Sequence, residues 1–309
     1  MSQPTSGRDS SGAAAPPRTS SMAAPDGPVT QNPNEKWTIV TARRNRRRGK
    51  PMSQPTHTTE ALIRGGSAGP WTPIDTETDP ERESNLLQKM RSSLKRVEAS
   101  KLYLDLLQQL QSPSPVREGL DRIRKASDDA DLTMVVYGIG SIESDGPPRL
   151  QLSLAILLAD RIGIGRTEIF DPVLSSTECR VIEALGCAVL SFNDCGRRAV
   201  LGPTLFFMPH CEAGLYDGLL EANWRPSRMN RMAVLGNSFR AYAAHASLVG
   251  RPTWGRPVPY LMEAERLASE VEVEVGTGGD EGVFFRAFQD TSWHFFDLDL
   301  DMDLPHLLH

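Results

Sequence analysis

Leu132-Thr133-Met134-Val135-Val136-Tyr137-Gly138-Ile139-Gly140-Ser141 is the stretch that decides the fold. Its first six residues are almost uniformly apolar, the pattern of a strand buried on both faces. The glycines that follow let the backbone turn sharply where the strand stops. The same grammar recurs downstream. A strand over Arg166–Phe170 stops on Asp171-Pro172, and one over Cys187–Phe192 on Asn193-Asp194. One over Thr204–Met208 stops on Pro209-His210-Cys211-Glu212, and one over Arg231–Leu235 on Gly236-Asn237-Ser238. Helical patterns separate most of them. They run over Pro148–Ile162 before Gly163, from the capping box Ser175-x-x-Glu178 to Leu185 before Gly186, over Gly214–Asn223, and briefly after Ser238. Strand, polar turn and helix in alternation specify an α/β protein: a Rossmann-like three-layer sandwich on a mainly parallel sheet. Ligands of such sheets bind beyond the carboxyl ends of the strands, so the unusual residues point to one edge.

Outward from this core the chain divides into three parts. Residues 1–79 are rich in Ser, Pro, Thr and Gly and short of apolar runs, which predicts a disordered arm. Residues 80–130 read as a helical lead-in. Asp79-Pro80-Glu81 is a helix start, and the helix is expected to reach Gln111 with Leu86, Met90, Leu94 and Val97 on one face. A second helix opens at Ser114-Pro115 and carries Val116, Leu120 and Ile123. Residues 131–309 form the α/β domain. In its last part Glu263–Ser269 is helical, and Val271, Val273 and Val275 alternate with glutamates as a strand does. After a Gly276–Gly279 turn, Val283–Phe288 and Ser292–Phe296 read as a closing strand region.

A net charge of −5 excludes a general polyanion binder, but the charge is uneven. Arg43, Arg44, Arg46, Arg47, Arg48 and Lys50 follow the apolar island Trp37-Thr38-Ile39-Val40. This pairing can dock a partner or cross a nucleic-acid backbone; a localisation-type basic run is the plainer reading. Asp297, Asp299, Asp301 and Asp303 make an acidic tail. Four cysteines without a C-x-x-C pair fit free thiols in a reducing compartment. The polar start Met1-Ser2-Gln3-Pro4 and the lack of a long apolar run lead to the expectation of a soluble protein of cytosol or nucleus, without a membrane partner.

Each strand end has chemistry to weigh. Gly138-x-Gly140 suits close backbone approach to a ligand, but the third glycine of the dinucleotide fingerprint is replaced by Glu143. Asp171, at the second strand's end, has the place from which an acid bonds ribose hydroxyls; before Pro172 it is equally a turn former. His210 and Cys211 beside Glu212 allow a structural turn, a soft metal or haem contact, or a nucleophile and base. Asn237 and Ser238 can hold a ligand or cap the next helix. Asp290, Ser292 and His294 alternate, so an extended backbone would turn all three to one side; a cross-strand polar row is the plain reading, a catalytic triad the remote one.

Tyr137-Gly138-Ile139-Gly140-Ser141, Phe207-Met208-Pro209-His210-Cys211, Leu235-Gly236-Asn237-Ser238-Phe239 and Phe288-x-Asp290-x-Ser292-x-His294 together resemble the SRR-like family, named for sensitivity to red light reduced. The resemblance spans Val135–Phe296, and the Trp37–Arg48 stretch resembles that family's N-terminal signature. It implies a regulatory role, tied to circadian and light signalling in plants and to haem biosynthesis and cytoskeletal phenotypes elsewhere. It transfers no catalytic mechanism. It does imply that Gly138, Gly140, Ser141, Pro209, His210, Cys211, Gly236, Asn237, Ser238, Asp290, Ser292 and His294 share one site. A regulator that works through protein partners and senses a small ligand in the strand-end cleft is therefore the first expectation. The alternative is a methyltransferase-like enzyme binding S-adenosylmethionine or a nucleotide, although Pro-His-Cys departs from the amino-methyltransferase motif. Haem and S-adenosylmethionine are the candidate cofactors. Nucleic-acid contact through Arg43–Arg48 is a third reading.

Overall fold

A computed structural model of the protein describes residues 68–111, 113–126, 131–144, 146–249, 257–276 and 282–307. A short strand, β1 (Gly69–Pro70), precedes helices α1 (Pro80–Glu98), α2 (Lys101–Gln109) and α3 (Pro115–Lys125). Alternation then begins with β2 (Thr133–Tyr137), α4 (Gly146–Ile162), β3 (Arg166–Phe170), α5 (Ser176–Ala184), β4 (Ala188–Val189) and β5 (Phe192–Asn193). It continues through β6 (Thr204–Met208), α6 (Ala213–Ala222), α7 (Pro226–Met229), β7 (Met232–Asn237) and α8 (Phe239–Val249). The chain closes with α9 (Pro259–Leu267), β8 (Ala268–Glu272), α10 (Gly282–Phe288) and β9 (Thr291–Phe296).

Seven strands form the main sheet in the order β4-β3-β2-β6-β7-β9-β8. The first five are parallel. β9 runs antiparallel between β7 and β8, pairing Gly236 with Ser292 on one side and Glu270 with His294 on the other. Period-two alternation sorts the strand residues between two cores. Met134, Val136, Leu205, Phe207, Leu235 and Trp293 face α1–α5 and α10. Val135, Tyr137, Phe206, Met208, Val234 and Phe296 face α6, α8 and α9. The result is the expected three-layer sandwich with a mostly parallel sheet.

Local signals explain the element ends. Asp79 accepts the Glu81 N–H at 3.0 Å and opens α1 before Pro80. Ser175 and Glu178 form the full reciprocal capping box. Four expectations are corrected. The single helix to Gln111 breaks after Glu98, because Ser100 bonds the Val97 carbonyl at 2.6 Å and caps α2 instead. Val283–Phe288 is helical rather than extended: Phe284, Ala287 and Phe288 recur at helical spacing and bury in the α4-side core. The third strand shrinks to Ala188–Val189, and Phe192–Asn193 turns away to pair with β1. Finally, residues 68–79 belong to the folded body although their composition placed them in a disordered arm. Trp71 donates its backbone N–H to Ser191 O at 2.8 Å and its indole N–H to Pro172 O at 3.3 Å, with its ring edge-on to Phe170 at 5.4 Å. The indole offsets part of the segment's ordering entropy, and the β1–β5 pairing and the bonds to Asp75 from Ser176 N–H and Arg82 add to it. The Trp37–Arg48 stretch and the Thr277–Gly279 turn lie outside the described residues.

Trp71 is half-buried, so Trp71→Ala should cost about 2 kcal/mol and lower the Tm by roughly 4–8 °C. A melting curve that does not move would show that this segment contributes nothing to the fold.

Candidate functional site

The carboxyl ends of β2, β3, β6 and β7 lie along one edge of the sheet, joined by the start of the reversed β9. Strand order switches direction between β2 and β6, and such a switch opens a crevice in doubly wound sheets. Here Cys211 fills that crevice. Its thiol donates to the Tyr137 carbonyl at 3.4 Å, and a Cβ placed on Gly138 would lie 2.5 Å from Sγ. Gly138 also has φ +69°, so this position excludes a side chain on two counts. Burial, reinforced by Asp171 and Glu212, pushes the Cys211 thiol well above its ordinary range. A buried, protonated thiol is neither nucleophile nor haem ligand, and in this structure Cys211 packs.

The turn after β2 is occupied by the protein's own carboxylates. Gly140 donates its N–H to Asp171 Oδ2 at 2.8 Å, and Val173 donates to Asp171 Oδ1 at 3.0 Å. Burial raises the Asp171 pKa while these two N–H bonds oppose the rise. Glu178 Oε1 takes the Ser141 hydroxyl at 2.7 Å and the Glu143 N–H at 3.0 Å, and its Oε2 takes the Ser175 N–H at 2.7 Å. Arg82 then grips Glu143 through Nε at 2.6 Å and Nη2 at 2.5 Å, and reaches Asp75 at 2.8 Å. Backbone donors that cradle an external anion in nucleotide binders are engaged internally here.

The other half of the edge is built around Tyr216, which is fully buried. Its hydroxyl donates to the Met208 carbonyl and accepts the Asn237 N–H at 2.8 Å. A Cβ on Gly236 would meet that hydroxyl at 2.5 Å, which explains the glycine. Asn237 ties the loops together: Oδ1 accepts the His210 N–H at 2.7 Å and Nδ2 donates to Tyr242 Oη at 2.9 Å. The Tyr242 hydroxyl donates onward to the Cys211 carbonyl at 2.8 Å. Pro209 is buried, and the next residue, His210, is exposed with φ +57°. Partial burial of its ring lowers the His210 pKa, while Asp290 and the Ala287 carbonyl pull it upward.

Ser238 donates its N–H to the Asp290 carbonyl at 2.6 Å and its hydroxyl to Glu270 Oε1 at 2.6 Å, and it caps α8 by accepting the Ala241 N–H at 3.0 Å. Asp290 is exposed with φ +59°, so it sits in a turn and not on the strand face shared by Ser292 and His294. That breaks the alternation on which a triad reading rested. Ser292 is buried against Gly236. His294 is fully buried and points into the α8-side core, its ring 3.8 Å from that of Phe239. Its Nδ1 lies 3.2 Å from Val234 O, and its Nε2 3.6 Å from Glu270 Oε2. Burial opposes the Glu270 charge, but His294, the Ser238 hydroxyl and the Arg240 N–H outweigh it and hold the carboxyl at about 2.

The structure therefore brings eleven of the thirteen sequence-chosen residues to this edge: Gly138 with Cys211, Gly140 and Ser141 with Asp171, Pro209 and His210 with Gly236 and Asn237, and Ser238 with Asp290. Ser292 lies just inside it, and His294 belongs to the core. Sequence reasoning missed Tyr216, Glu270 and Arg82. Only Glu178 had a local signal, its capping box. Among the described residues no three His, Cys, Asp or Glu side chains cluster as a metal site, and no helix is long and apolar enough to cross a membrane.

Fold and edge together define a doubly wound, Rossmann-like α/β protein whose strand-end crevice is filled from within. The chain belongs to the SRR1 family: the SRR1 domain matches residues 105–295. It is 47% identical over 240 residues to the Arabidopsis thaliana protein SENSITIVITY TO RED LIGHT REDUCED 1, covering 76% of this chain and 83% of that one. A Mus musculus SRR1-like protein is 30% identical, with 67% and 86% covered. Among solved structures, the plantazolicin methyltransferase BpumL is similar at 9% identity over 71% of this chain and all of that one, with a TM-score of 0.29, too distant to bear on function.

Two predictions test this architecture. Gly138→Ala should destabilise by about 2–4 kcal/mol, from the left-handed backbone and the overlap with Sγ. Adding Cys211→Ala should recover about 1 kcal/mol of that loss in a double-mutant cycle; strictly additive losses would mean the thiol is not the obstacle. Glu270 is depressed in the fold, so its stabilisation is present above its unfolded value of 4.5 and is lost as pH falls toward about 2. Glu270→Gln should lose about 1–3 kcal/mol at neutral pH and show a flatter acid limb between those values in pH-dependent urea unfolding. Parallel pH profiles for the two chains would contradict this.

Proposed function

We propose that this chain is a regulatory protein that acts by binding, with the His210–Asp290 rim of the strand-end edge as its recognition point for a small ligand. One observation carries the reading. Two exposed non-glycine residues of opposite acid–base character both sit in left-handed backbone and lie close enough for the Asp290 charge to act on the His210 ring. Such backbone costs on the order of 1 kcal/mol per residue and persists where surrounding bonds over-determine it. Asn237 and Ser238 supply those bonds. Strain held at exposed side chains serves recognition better than packing.

Family membership supports a regulatory role, and the Arabidopsis relative's name supports input from red light; circadian and haem-linked regulation are the physiological settings we assign to it. Protein partners, a cytosolic or nuclear location, and nucleic-acid contact through Arg43–Arg48 belong to the same proposal. Of the two side chains considered for haem, only His210 reaches the surface. The methyltransferase-like alternative, with S-adenosylmethionine or a nucleotide in the crevice, requires Asp171 to release Gly140 and Cys211 to withdraw from Gly138. That requirement places it second.

The two readings separate in a thermal-shift panel of S-adenosylmethionine, ATP and haem on the full chain. A ligand at 100 times its Kd stabilises by about 2.7 kcal/mol. The rim reading expects that shift to vanish in His210→Ala and Asp290→Ala and to survive in Asp171→Asn. The reverse pattern would move the site into the crevice and favour the enzyme.

A further inference from the structure

A groove of about 610 Å³ runs between α1 and the first turns of α4, with Val283 of α10 at its side. Among the described residues its walls hold three cations, Lys89, Arg96 and Arg149, and no acidic side chain. Asn85, Lys89, Ser93 and Arg96 are spaced by four, four and three residues, so they form one stripe along α1. Arg91 and Lys95 lie off that stripe. Both arginines are already fixed in place. Arg149 Nη1 donates to the Ile142 carbonyl at 2.6 Å, and the Arg96 guanidinium lies 5.6 Å from the Phe284 ring centre. The first turn of α4 contains Pro147 and Pro148, which lack N–H donors, so the attraction rests on side chains rather than on the helix end.

A second observation is independent of charge. Ser93 lines the groove at 9% exposure, and its hydroxyl has no hydrogen-bond partner among the described residues. Buried polar atoms are almost always paired; this one is covered in the structure, so a ligand oxygen in the groove reaches it after a rotation about the Ser93 χ1 bond. The adjoining depression contains three acids: Glu143 is paired with Arg82, Asp79 is engaged as the α1 cap, and Glu81 lies in the first turn of α1, where the helix end favours an acid.

We infer that this groove binds a small phosphate-bearing anion, its oxygens shared between the Arg96 and Arg149 forks, the Lys89 ammonium and the Ser93 hydroxyl. Forked guanidiniums match tetrahedral oxyanions, and the volume falls within the roughly 300–1,000 Å³ of small-molecule sites. A nucleic-acid strand would call for cations continuing along the helix, which the stripe does not provide.

Calorimetric titration of the full chain with sodium pyrophosphate, at constant ionic strength, tests this. Saturable one-site binding is expected, with Arg96→Ala and Lys89→Ala each weakening it about 10-fold, as loss of a charge-assisted bond should. Ser93→Ala should weaken binding several-fold while leaving the ligand-free Tm unchanged or raised, a pairing that a purely structural serine would not give. Lys95→Ala serves as the control and should bind like the parent chain. An absence of saturable heat up to about 10 mM would overturn the site. So would equal weakening by Lys95→Ala, which marks unspecific surface charge, or oligonucleotide binding that pyrophosphate does not compete away.

Discussion

The Cys211 thiol, wedged against Gly138, closes the strand-end seam above the β2–β6 ladder that joins the two halves of the sheet. On one side of this contact β3 and β4 extend from β2; on the other β7, β9 and β8 extend from β6. A doubly wound sheet leaves its loops free to separate at that seam, which is why ligands settle there in so many proteins. Here one sulfur atom joins the loops. From it the bonding runs outward in both directions: through Tyr242 and Asn237 to the His210 turn, and through the glycine turn to Asp171, Glu178 and Arg82. The edge is a bonded plate more than an open mouth.

That plate changes the electrostatic meaning of a familiar pattern. A glycine turn between a buried strand and a helix offers N–H groups to an anion, and in this chain it receives one. The anions are Asp171 and Glu178, supplied by the neighbouring strand end and helix start. Glu143, which occupies the missing third glycine position, is the residue that Arg82 grips from α1. The failed dinucleotide fingerprint and the internal carboxylates are thus two views of one arrangement. Among the described residues, the two features on which our proposals rest lie at the flanks: the left-handed rim at His210 and Asp290, and the cationic groove along α1.

Much of this was legible in the sequence where the signal was local. β3 and β6 match their expected ranges residue for residue, and the Ser175 box and Asp79 cap formed as written. The gathering of the first three motifs at one edge followed from the rule that parallel strands end together, and Asp290 of the fourth joins them at the start of the reversed β9. The failures were non-local. Val283–Phe288 has a strand's composition, but three of its aromatic and small residues share a helical face that only the α4-side core reveals. Trp71 looked like part of a polar tail because its partners, Phe170, Pro172 and Ser191, lie about a hundred or more positions away. His294 seemed to align with Asp290 until the left-handed turn at Asp290 separated them. Tyr216 and Glu270 act through hydrogen bonds to distant loops, and no short pattern announces such bonds.

The insertion of β9 between β7 and β8 has a consequence for biogenesis. β8 hydrogen-bonds to no other strand of the main sheet, and one side of β7 is satisfied only by β9, whose last residue is Phe296. While the chain is being translated, the parallel half can assemble, yet β7 keeps an unpaired border until Thr291–Phe296 has left the ribosome. An exposed border of this kind invites pairing with a neighbouring nascent chain. Chains that stop before β9 would remain in that sticky state, making this protein's yield in the cell dependent on synthesis continuing through Phe296.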